Sequence, residues 1–310
     1  MGRVPVTIRV LAVLAAGAFA GGLATAAEPA ESLQIGMIQG MFRDVQPAMV
    51  QAMSKPLRDM IRKQTGLTGE VEICPDANVL AEKMKAKRLH LGVYHGFEFA
   101  WLRKANPDLV PLVITIPPAR KLQACVVVHR DSKAASVADL KDETVLVPRG
   151  TKAHCFLYLD SLRAGLPATT AKPQAKSTLT SEEALDAVIN GDSAAALLDA
   201  SAILGYKNLQ PGAFQHLRVL AESPTFPPTV LAYTKGTISD ATVAKVRTLL
   251  TEASQNAAGR PLLMMWNVKG FEEIPADYED HLARIAKEFP EPKPAPAGVA
   301  RTVGLTKPEN

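Results

Sequence analysis

The sequence predicts an α/β fold, because short apolar runs alternate along the chain with segments whose apolar residues have helical spacing. Val79, Leu80 and Met84, for example, fall on one face of a helix, and an apolar run lies on each side of that helix. Aromatic residues make up only 5% of the chain while Ala, Leu and Val are abundant, which is typical of sheets covered by helices.

Four strands with helices between them are predicted for the first block of the chain, as in a βαβ run with right-handed crossovers. The first helix has two candidate starts, at Pro47 and at Ser54-Lys55-Pro56, because proline suits the first turn of a helix; Gly66 ends it. The predicted strands are Ser32–Ile38, residues 70–74, residues 89–94 and Leu109–Ile116, and the later helices span residues 77–87 and 96–104.

The middle block opens with Ala124–His129, a nearly continuous apolar strand of the kind that is buried on both faces. Ser136 and Asp139 match a capping box before a short helix, and Thr180 and Glu183 match one before a longer helix. Further strands are predicted near Val145, at residues 194–198 and at residues 217–221.

The last block runs from Thr229 to about Phe289 and contains one strand and three helical segments. Ser239 is placed to cap the longest of these helices. The strand spans residues 230–233, and the helical segments span residues 241–253, 260–266 and 276–288. Residues 290–310 hold several prolines and few large apolar side chains, so a disordered tail is predicted there.

Two passages from apolar residues into proline bracket the middle block: Ile116-Pro117-Pro118, and residues 223–228 (SPTFPP). If both passages cross between two structural units, the middle block forms one unit and the first and last blocks form the other. Two ordinary proline-rich loops within one domain explain the same residues equally well.

The first residues have the features of a secretory signal peptide. Arg3 and Arg9 supply positive charge, residues 10–20 are apolar, and Ala24-Thr25-Ala26 supplies the small residues of a cleavage site. We therefore expect residues 1–27 to be removed on export. An uncleaved membrane anchor is the alternative, although the apolar run is short for a span. About 280 residues remain, which is enough for two units with cores of their own.

The charge balance argues against nucleic acid or an anionic membrane as a partner. Of the 35 Lys and Arg residues, the leader holds Arg3 and Arg9, so 33 remain against 31 Asp and Glu. Such a nearly neutral surface has no excess of cations to attract polyanions.

Three cysteines, Cys74, Cys125 and Cys155, are an odd number for a protein of an oxidising compartment. One disulfide would leave one free thiol, and Cys125–Cys155 is the pair we would expect if a bridge forms. Cys125 also fits a free thiol packed inside a buried strand, so both interpretations stay open.

Residues 145–158 (VLVPRGTKAHCFLY) predict a strand, a loop and a helix in succession. The strand ends at Pro148 and the helix begins near Ala153. Unpaired backbone N–H groups and the helix dipole make such a helix N-terminus a ready anion site. Thr151 adds a hydroxyl, and Arg149 and Lys152 add cations. Most loops of this kind bind nothing, so the pattern alone leaves binding open.

Four passages carry a family resemblance. The first runs from Lys55-Pro56-Leu57 to Thr65-Gly66-Leu67, and the second joins residues 91–101 (LGVYHGFEFAW) to residues 109–112 (LVPL). The third joins residues 125–132 (CVVVHRDS) to residues 136–141 (SVADLK), and the fourth is residues 223–233. In order and spacing, the four resemble the periplasmic ligand-binding proteins of ABC transporters, in the subfamily that binds phosphate, phosphite or phosphonate.

The resemblance implies two α/β lobes, each a mostly parallel sheet flanked by helices, joined by two crossing hinge strands. It assigns residues 28–118 and 229–289 to lobe 1 and residues 119–228 to lobe 2. It also implies a monomer of the periplasm that is not embedded in the membrane. Such a protein binds a small anion like phosphonate, phosphite or phosphate between the lobes, closes on it by hinge motion, and delivers it to a permease with its ATPase.

The resemblance selects candidate ligand contacts in lobe 2. The family's loop at residues 150–154 usually supplies a run of hydroxyls, whereas this chain keeps Thr151 and has Lys152, Ala153 and His154 after it. A lysine still favours an anion, but the departure argues against the usual phosphonate pattern. Ser181 and Asp199 match further ligand positions. The alternatives are that Ser181 caps the helix that begins there and that Asp199 caps the next turn.

Lobe 1 supplies the other candidate contacts. Tyr94 and His95 match the ligand-facing segment of the family, where Gly96 lets the backbone approach a ligand closely. A packed tyrosine and a surface histidine are the alternative interpretation. Arg43, in the first loop, is a candidate clamp for a phosphate or carboxylate, or an arginine in solvent.

The sequence gives little support to an enzymatic function. The sequence has no Gly-x-Ser-x-Gly, His-Glu-x-x-His or Walker pattern, and the adjacent His154 and Cys155 point apart if they lie in a helix. His90, His95 and His129 lack metal-ligand spacing. We expect no enzymatic activity, cofactor or metal. A sensor subunit for a membrane receptor, a binder of metals or organic acids, and a secreted enzyme using the same cleft are the alternatives.

Overall fold

The computed structural model describes residues 32–42, 45, 47–140, 143–164, 172–174 and 179–292. The predicted signal peptide, Arg43 and the predicted tail from residue 293 onward lie outside the described residues. In the described part, strands and helices alternate as predicted and build two separate mixed sheets covered by helices.

The first sheet has six strands: β1 (Ser32–Ile38), β2 (Thr68–Cys74), β3 (Leu91–Tyr94), β4 (Leu109–Ile116), β10 (Val230–Thr234) and β11 (Gly270–Glu272). Their order across the sheet is β11-β4-β10-β3-β1-β2. β1 pairs in parallel with β2 and β3, whereas β10 lies antiparallel between β3 and β4. The chain therefore leaves this sheet after β4 and returns to its centre with β10.

Six helices cover the first sheet: α1 (Pro47–Thr65), α2 (Ala77–Lys85), α3 (Gly96–Arg103), α8 (Asp240–Thr251), α9 (Arg260–Met265) and α10 (Tyr278–Glu288). α1, α8 and α9 enclose the core on one face, and α2, α3 and α10 enclose the core on the other. α1 runs without a break through Pro56, so the second of its two candidate starts is not used. Ser239 caps α8 as predicted, accepting from the Thr242 N–H at 3.2 Å.

The second sheet has five strands: β5 (Ala124–His129), β6 (Thr144–Leu146), β7 (Lys172–Gln174), β8 (Ala195–Asp199) and β9 (Leu217–Glu222). Their order is β7-β6-β8-β5-β9, with β6 parallel to β7 and β8 and β5 antiparallel to β8 and β9. The helices of this sheet are α4 (Ala153–Ala164), α5 (Ser181–Ile189), α6 (Ala200–Leu209) and α7 (Pro211–Phe214). The predicted capping box of Thr180 and Glu183 at the start of α5 is confirmed.

Two segments connect the sheets, residues 117–123 after β4 and residues 223–229 before β10. They run antiparallel to each other, and the Phe226 N–H donates to the Leu122 carbonyl at 2.8 Å. The Gln123 side chain donates to the Ser223 carbonyl at 2.9 Å. The fold is thus the predicted pair of α/β lobes joined by two crossing segments. We call the first sheet with its helices lobe 1, and the second sheet with its helices lobe 2. The residue limits predicted for the two lobes remain a proposal.

An aromatic cluster surrounds the crossing segments. Phe226 is fully buried, and its ring centroid lies 6.2 Å from that of Phe97 in α3 and 4.8 Å from that of Phe289. The indole N–H of Trp101 donates to the Phe289 carbonyl at 2.7 Å, which fixes the end of α10 against α3. His281 in α10 also contacts the second crossing segment, with its Nε2 2.7 Å from the Thr225 carbonyl oxygen. α10 therefore braces the connection between the lobes.

Gly96 at the start of α3 packs directly on the second crossing segment. An added Cβ there would lie 2.2 Å from the Pro227 carbonyl oxygen and 2.5 Å from that of Pro228, far inside contact distance. We expect Gly96→Ala to lower the free energy of unfolding by about 1–3 kcal/mol, measured by urea denaturation. The control is Gly205→Ala in α6, where nothing lies within 4 Å of the added Cβ.

The control variant should be neutral or more stable by up to about 1 kcal/mol, because alanine favours a helix over glycine. Equal urea midpoints for Gly96→Ala and Gly205→Ala would show that α3 does not pack on the crossing segment as described.

Candidate functional site

A cavity of about 250 Å³ lies between the two lobes beside the crossing segments. Lobe 2 lines it with the continuous stretch of residues 150–154, and lobe 1 lines it with residues near the ends of β1, β3 and β4 and after α9. The crossing segments contribute Pro117, Leu122, Pro228 and Thr229. A ligand in this cavity would therefore touch both lobes and the connection between them.

The lobe 2 wall is the N-terminus of α4. Gly150 has a φ of 75°, in the left-handed region that favours glycine, and this turn brings the chain from β6 into the helix. The backbone N–H groups of Lys152, Ala153 and His154 have no acceptor within the described part of the chain. The predicted strand, loop and helix thus present free backbone donors and the positive end of a helix dipole to the cavity.

Thr151 supports this loop. Its side chain is buried, and its hydroxyl donates to the Pro148 carbonyl at 2.6 Å. Thr151 lines the cavity, and its hydroxyl has to leave Pro148 before it can donate to a bound anion. The backbone N–H groups are therefore the donors that stand ready.

Lys152 and Asp199 form an ion pair at this wall, with 3.2 Å between Nζ and Oδ1. Asp199 ends β8 and caps α6, accepting from the Ser201 N–H at 2.9 Å, so it has the capping role as well as a cationic partner. Lys152 lines the cavity, and among the described lining residues it is the only lysine or arginine. An anion would compete with Asp199 for this ammonium group.

His154 is buried beneath the loop, with its ring centroid 5.5 Å from that of Phe226. Burial lowers its pKa to about 4, with Lys152 acting in the same direction, while Asp199 and a hydrogen bond with the Gln123 backbone oppose the shift. His154 is therefore neutral at pH 7. Its Nε2 lies 3.5 Å from the Cys155 sulfur, so the expectation that these two side chains point apart in a helix is wrong. Burial raises the pKa of that thiol well above its usual value, which disfavours a thiolate nucleophile.

The lowered pKa of His154 predicts a loss of stability in mild acid. The unfolded chain takes up the proton near pH 6.5 and the folded chain only near pH 4, so the contribution is complete above pH 6.5 and is lost as the pH falls towards 4. We expect the free energy of unfolding to fall by about 3 kcal/mol over this window.

His154→Gln should remove this part of the pH dependence in urea unfolding, whatever the stability of the variant at pH 7. His216→Gln, at an exposed site, should keep it; identical pH profiles for wild type and His154→Gln would contradict the prediction.

Two of the polar side chains that lobe 1 contributes to the cavity come from the ends of its strands, His95 after β3 and Thr115 in β4. His95 precedes α3, half-buried, and its ring stacks on Phe97 with 5.4 Å between centroids and 5° between planes. Thr115, near the end of β4, is almost fully buried at the cavity wall. Both line the same cavity as the α4 N-terminus.

Two further candidate residues, Tyr94 and Ser181, lie outside the cavity lining. Tyr94 is fully buried on the opposite face of the sheet, with its hydroxyl 3.1 Å from the Met84 sulfur, because successive side chains of β3 alternate and Val93 takes the cavity side. Ser181 is the first residue of α5, next to the capping Thr180, and does not line the cavity. The structure thus brings His95, Thr151, Lys152 and His154 together, with Asp199 behind Lys152.

Sequence reasoning did not anticipate the stretch after α9. Met265, Trp266, Asn267 and Val268 all line the cavity, and Asn267 has a left-handed φ of 48° that turns the chain into β11. Trp266 is one of only two tryptophans in the chain, which is the one signal that could have drawn attention to it.

The structure also bears on the predictions about the cysteines, metal binding and membrane spans. All three cysteines are buried and free, so the disulfide between Cys125 and Cys155 is not formed and Cys125 is a packed strand thiol. Within the described ranges, no group of three or more His, Cys, Asp or Glu side chains could hold a metal ion. Of the helices described, none has the length and apolar character needed to cross a membrane.

Comparisons with known proteins agree with this architecture. Residues 40–278 match the family described as the periplasmic substrate-binding protein of phosphonate ABC transporters. A Xanthomonas citri protein has been solved bound to ATP (17% identity, 84% of this chain and 97% of that chain, TM-score 0.58) and bound to chloride ion (19% identity, 83% and 97%, TM-score 0.59).

Two further structures share the fold. PhnD1 from Prochlorococcus marinus in complex with methylphosphonate is 12% identical over 84% of this chain and 98% of that chain, with a TM-score of 0.57. A binding protein component of an ABC phosphonate transporter from Pseudomonas aeruginosa is 16% identical over 83% and 86%, with a TM-score of 0.54. No protein of curated function matches the sequence.

Proposed function

The chain belongs to the family of periplasmic substrate-binding proteins of phosphonate ABC transporters, and from this premise we propose that its own ligand is a small anion bound between lobes 1 and 2. Members of the family bind a solute for a transporter and are not enzymes, and their partner is a membrane permease. We further propose that residues 1–27 direct the export of this chain and that the exported protein acts as a monomer.

The observation that carries the proposal is the α4 N-terminus at the cavity. The N–H groups of Lys152, Ala153 and His154 have no acceptor within the described residues, and Lys152 adds a cation beside them. Backbone donors, a helix dipole and an ammonium group together favour an oxyanion over a neutral or cationic solute. We expect His95 and Thr115 of lobe 1, which line the same cavity, to contact the same anion.

The crossing segments supply the mechanism. Each lobe has its own sheet, and residues 117–123 and 223–229 are the two backbone connections between the sheets. Rotation about these segments would bring the lobe 1 wall onto an anion already held by α4. Closure of this kind adds contacts that only the liganded state makes, which shifts the population towards the closed form.

The ligands of structural relatives agree with an anionic ligand without fixing which one. Methylphosphonate, ATP and chloride, found in three of these structures, are all anions. We propose a phosphonate, phosphite or phosphate-like oxyanion. In this chain, Lys152, Ala153 and His154 stand where the family usually has a run of hydroxyls. The family pattern therefore does not identify the oxyanion, which has to be found by a screen.

A thermal-shift screen of the mature chain tests this proposal. The panel contains phosphate, phosphite, methylphosphonate, butylphosphonate, methanesulfonate, butanesulfonate and acetate, with Zn²⁺ and Ca²⁺ as the alternative class. An oxyanion at a hundred times its dissociation constant should stabilise the protein by about 2.7 kcal/mol and raise the melting temperature. A shift with the divalent metals alone, or with no member of the panel, would overturn the proposal.

A further inference from the structure

The cavity is lined by a methionine that solvent reaches. Met265, the last residue of α9, lines the cavity and is 38% exposed, whereas its neighbour Met264 is 82% exposed and lies outside the cavity lining. Met49, near the start of α1, is 57% exposed. Methionines are therefore three of the five large apolar side chains that the described part of the chain leaves exposed. Exposed thioethers are targets for dissolved oxidants.

The cysteines offer an oxidant no easier target. Cys74, Cys125 and Cys155 are buried and free, and burial raises the pKa of each thiol above its ordinary value. Because oxidation of a thiol needs both the thiolate and access to it, these three sulfur atoms are protected in the folded chain. Core methionines such as Met60 and Met84, which are at most 1% exposed, are shielded from the same oxidants.

Oxidation of Met265 would place a polar group in the anion cavity. A methionine sulfoxide is polar where the thioether is apolar, and its added oxygen carries partial negative charge. Lys152 is the only lysine or arginine among the described lining residues, and it already contacts Asp199 at 3.2 Å. Asn267 also lines the cavity and has an amide that can donate to the new oxygen. A negative oxygen in this cavity opposes the binding of an anion.

The chemical step needs a two-electron oxidant such as hydrogen peroxide. The thioether sulfur gives an electron pair to one peroxide oxygen, so that an S–O bond forms and the O–O bond breaks. The second oxygen takes the proton of the transferred oxygen and leaves as water. A methionine sulfoxide reductase reverses the step with two electrons and two protons from a dithiol, and the sulfoxide oxygen leaves as water.

We propose that Met265 is a reversible oxidation site through which peroxide-type oxidants weaken anion binding in the cavity. This inference rests on the proposed function and adds a regulation to it. Met264 and Met49 are oxidised as well, but both lie outside the cavity lining, so their oxidation leaves anion binding unchanged. Anion binding by this chain then falls under oxidising conditions and returns when the sulfoxide of Met265 is reduced.

Peptide mass spectrometry after treatment with hydrogen peroxide measures the oxidised fraction at each methionine. Met49, Met264 and Met265 should be oxidised at least about tenfold faster than Met60 and Met84, because only the first three are exposed. Circular dichroism checks that the treated protein remains folded. Oxidation of Met265 at the rate of the core methionines would overturn the inference.

Isothermal titration calorimetry before and after peroxide treatment measures the effect on binding. The probes are the phosphorus and sulfur oxyanions of the thermal-shift panel: phosphate, phosphite, and the methyl and butyl phosphonates and sulfonates. Affinity for the anions that bind should fall roughly fivefold after treatment. Incubation of the treated protein with methionine sulfoxide reductases A and B and a dithiol should restore the affinity, because both epimers of the sulfoxide are then reduced.

The neighbouring methionines provide matched variants. Met265→Leu, whatever its own affinity, should lose none of it on peroxide treatment, because leucine has no sulfur to oxidise. Met264→Leu should lose as much affinity as the wild type. Met265→Gln, whose amide oxygen stands in for the sulfoxide oxygen, should bind more weakly than the wild type before treatment and should not weaken further.

The outcomes separate this inference from the proposed function. If the oxidised wild type keeps its affinity, or if Met265→Leu loses as much affinity as the wild type, the oxidation inference is overturned and the anion site stands. If the untreated wild type binds none of the probes, the proposed function is overturned and this inference falls with it.

Discussion

Lys152→Met and Asp199→Asn are expected to change oxyanion affinity in opposite directions. Lys152→Met removes the ammonium group beside the α4 N-terminus and leaves the buried Asp199 carboxylate near the anion. A hydrogen bond to a charged group contributes about 1.5–3 kcal/mol, so affinity should fall roughly ten- to hundredfold. Asp199→Asn keeps an acceptor that can cap α6 but releases Lys152 from its partner, so affinity should rise severalfold.

Calorimetric titration with the best oxyanion of the thermal-shift screen measures both effects. The matched control is Lys245→Met on the exposed surface of α8, which removes the same charge away from the cavity and should change affinity less than about twofold. Raising the salt concentration should weaken binding to the wild type more than to Lys152→Met. A loss of the same size in Lys152→Met and Asp199→Asn would indicate that the ion pair supports the fold and does not take part in binding.

Phe226→Ala is expected to cause the largest loss of stability among the substitutions considered. Its ring is fully buried in the second crossing segment and contacts Phe97, His154 and Phe289, which come from lobe 1, lobe 2 and the end of α10. Truncating a buried phenylalanine costs about 3–5 kcal/mol, through lost apolar burial and the cavity left behind.

Urea unfolding followed by circular dichroism gives the free energy of unfolding for this variant. Phe214→Ala is the control, since that ring is half-buried in α7 of lobe 2 and its loss should cost about 1 kcal/mol. If Phe226→Ala loses no more stability than Phe214→Ala, the aromatic cluster does not hold the lobes together.

Much of the fold followed from local patterns. The bounds of β1, β4 and β5 agree with the predicted strands, because each is a segment rich in apolar residues that stops at a change of composition. Short elements were missed for the opposite reason. β7 and β11 have three residues each and exist through pairing with β6 and β4, which are distant in sequence. α6 was also missed, since a glycine and several residues of modest helix propensity interrupt its pattern.

The site was predicted less completely, because a sequence pattern locates the end of a strand but not the face that a side chain takes. His95 reaches the cavity while its neighbour Tyr94 packs into the core. The pairing of Lys152 with Asp199, 47 residues apart, depends on β6 and β8 lying side by side in one sheet. The presence of Trp266 in the same cavity as the α4 N-terminus depends on how the two sheets come together. No local motif records such contacts.

The central claim is that an oxyanion binds at the N-terminus of α4 between two lobes that close on it. A crystal structure of the mature chain with the best oxyanion of the thermal-shift screen tests this claim most directly. We expect the acid oxygens about 2.7–3.1 Å from the N–H groups of Ala153 and His154 and from Lys152 Nζ, with lobe 1 residues contacting the same ligand. A ligand that contacts a single lobe, or that leaves the α4 N-terminus unoccupied, would contradict the account.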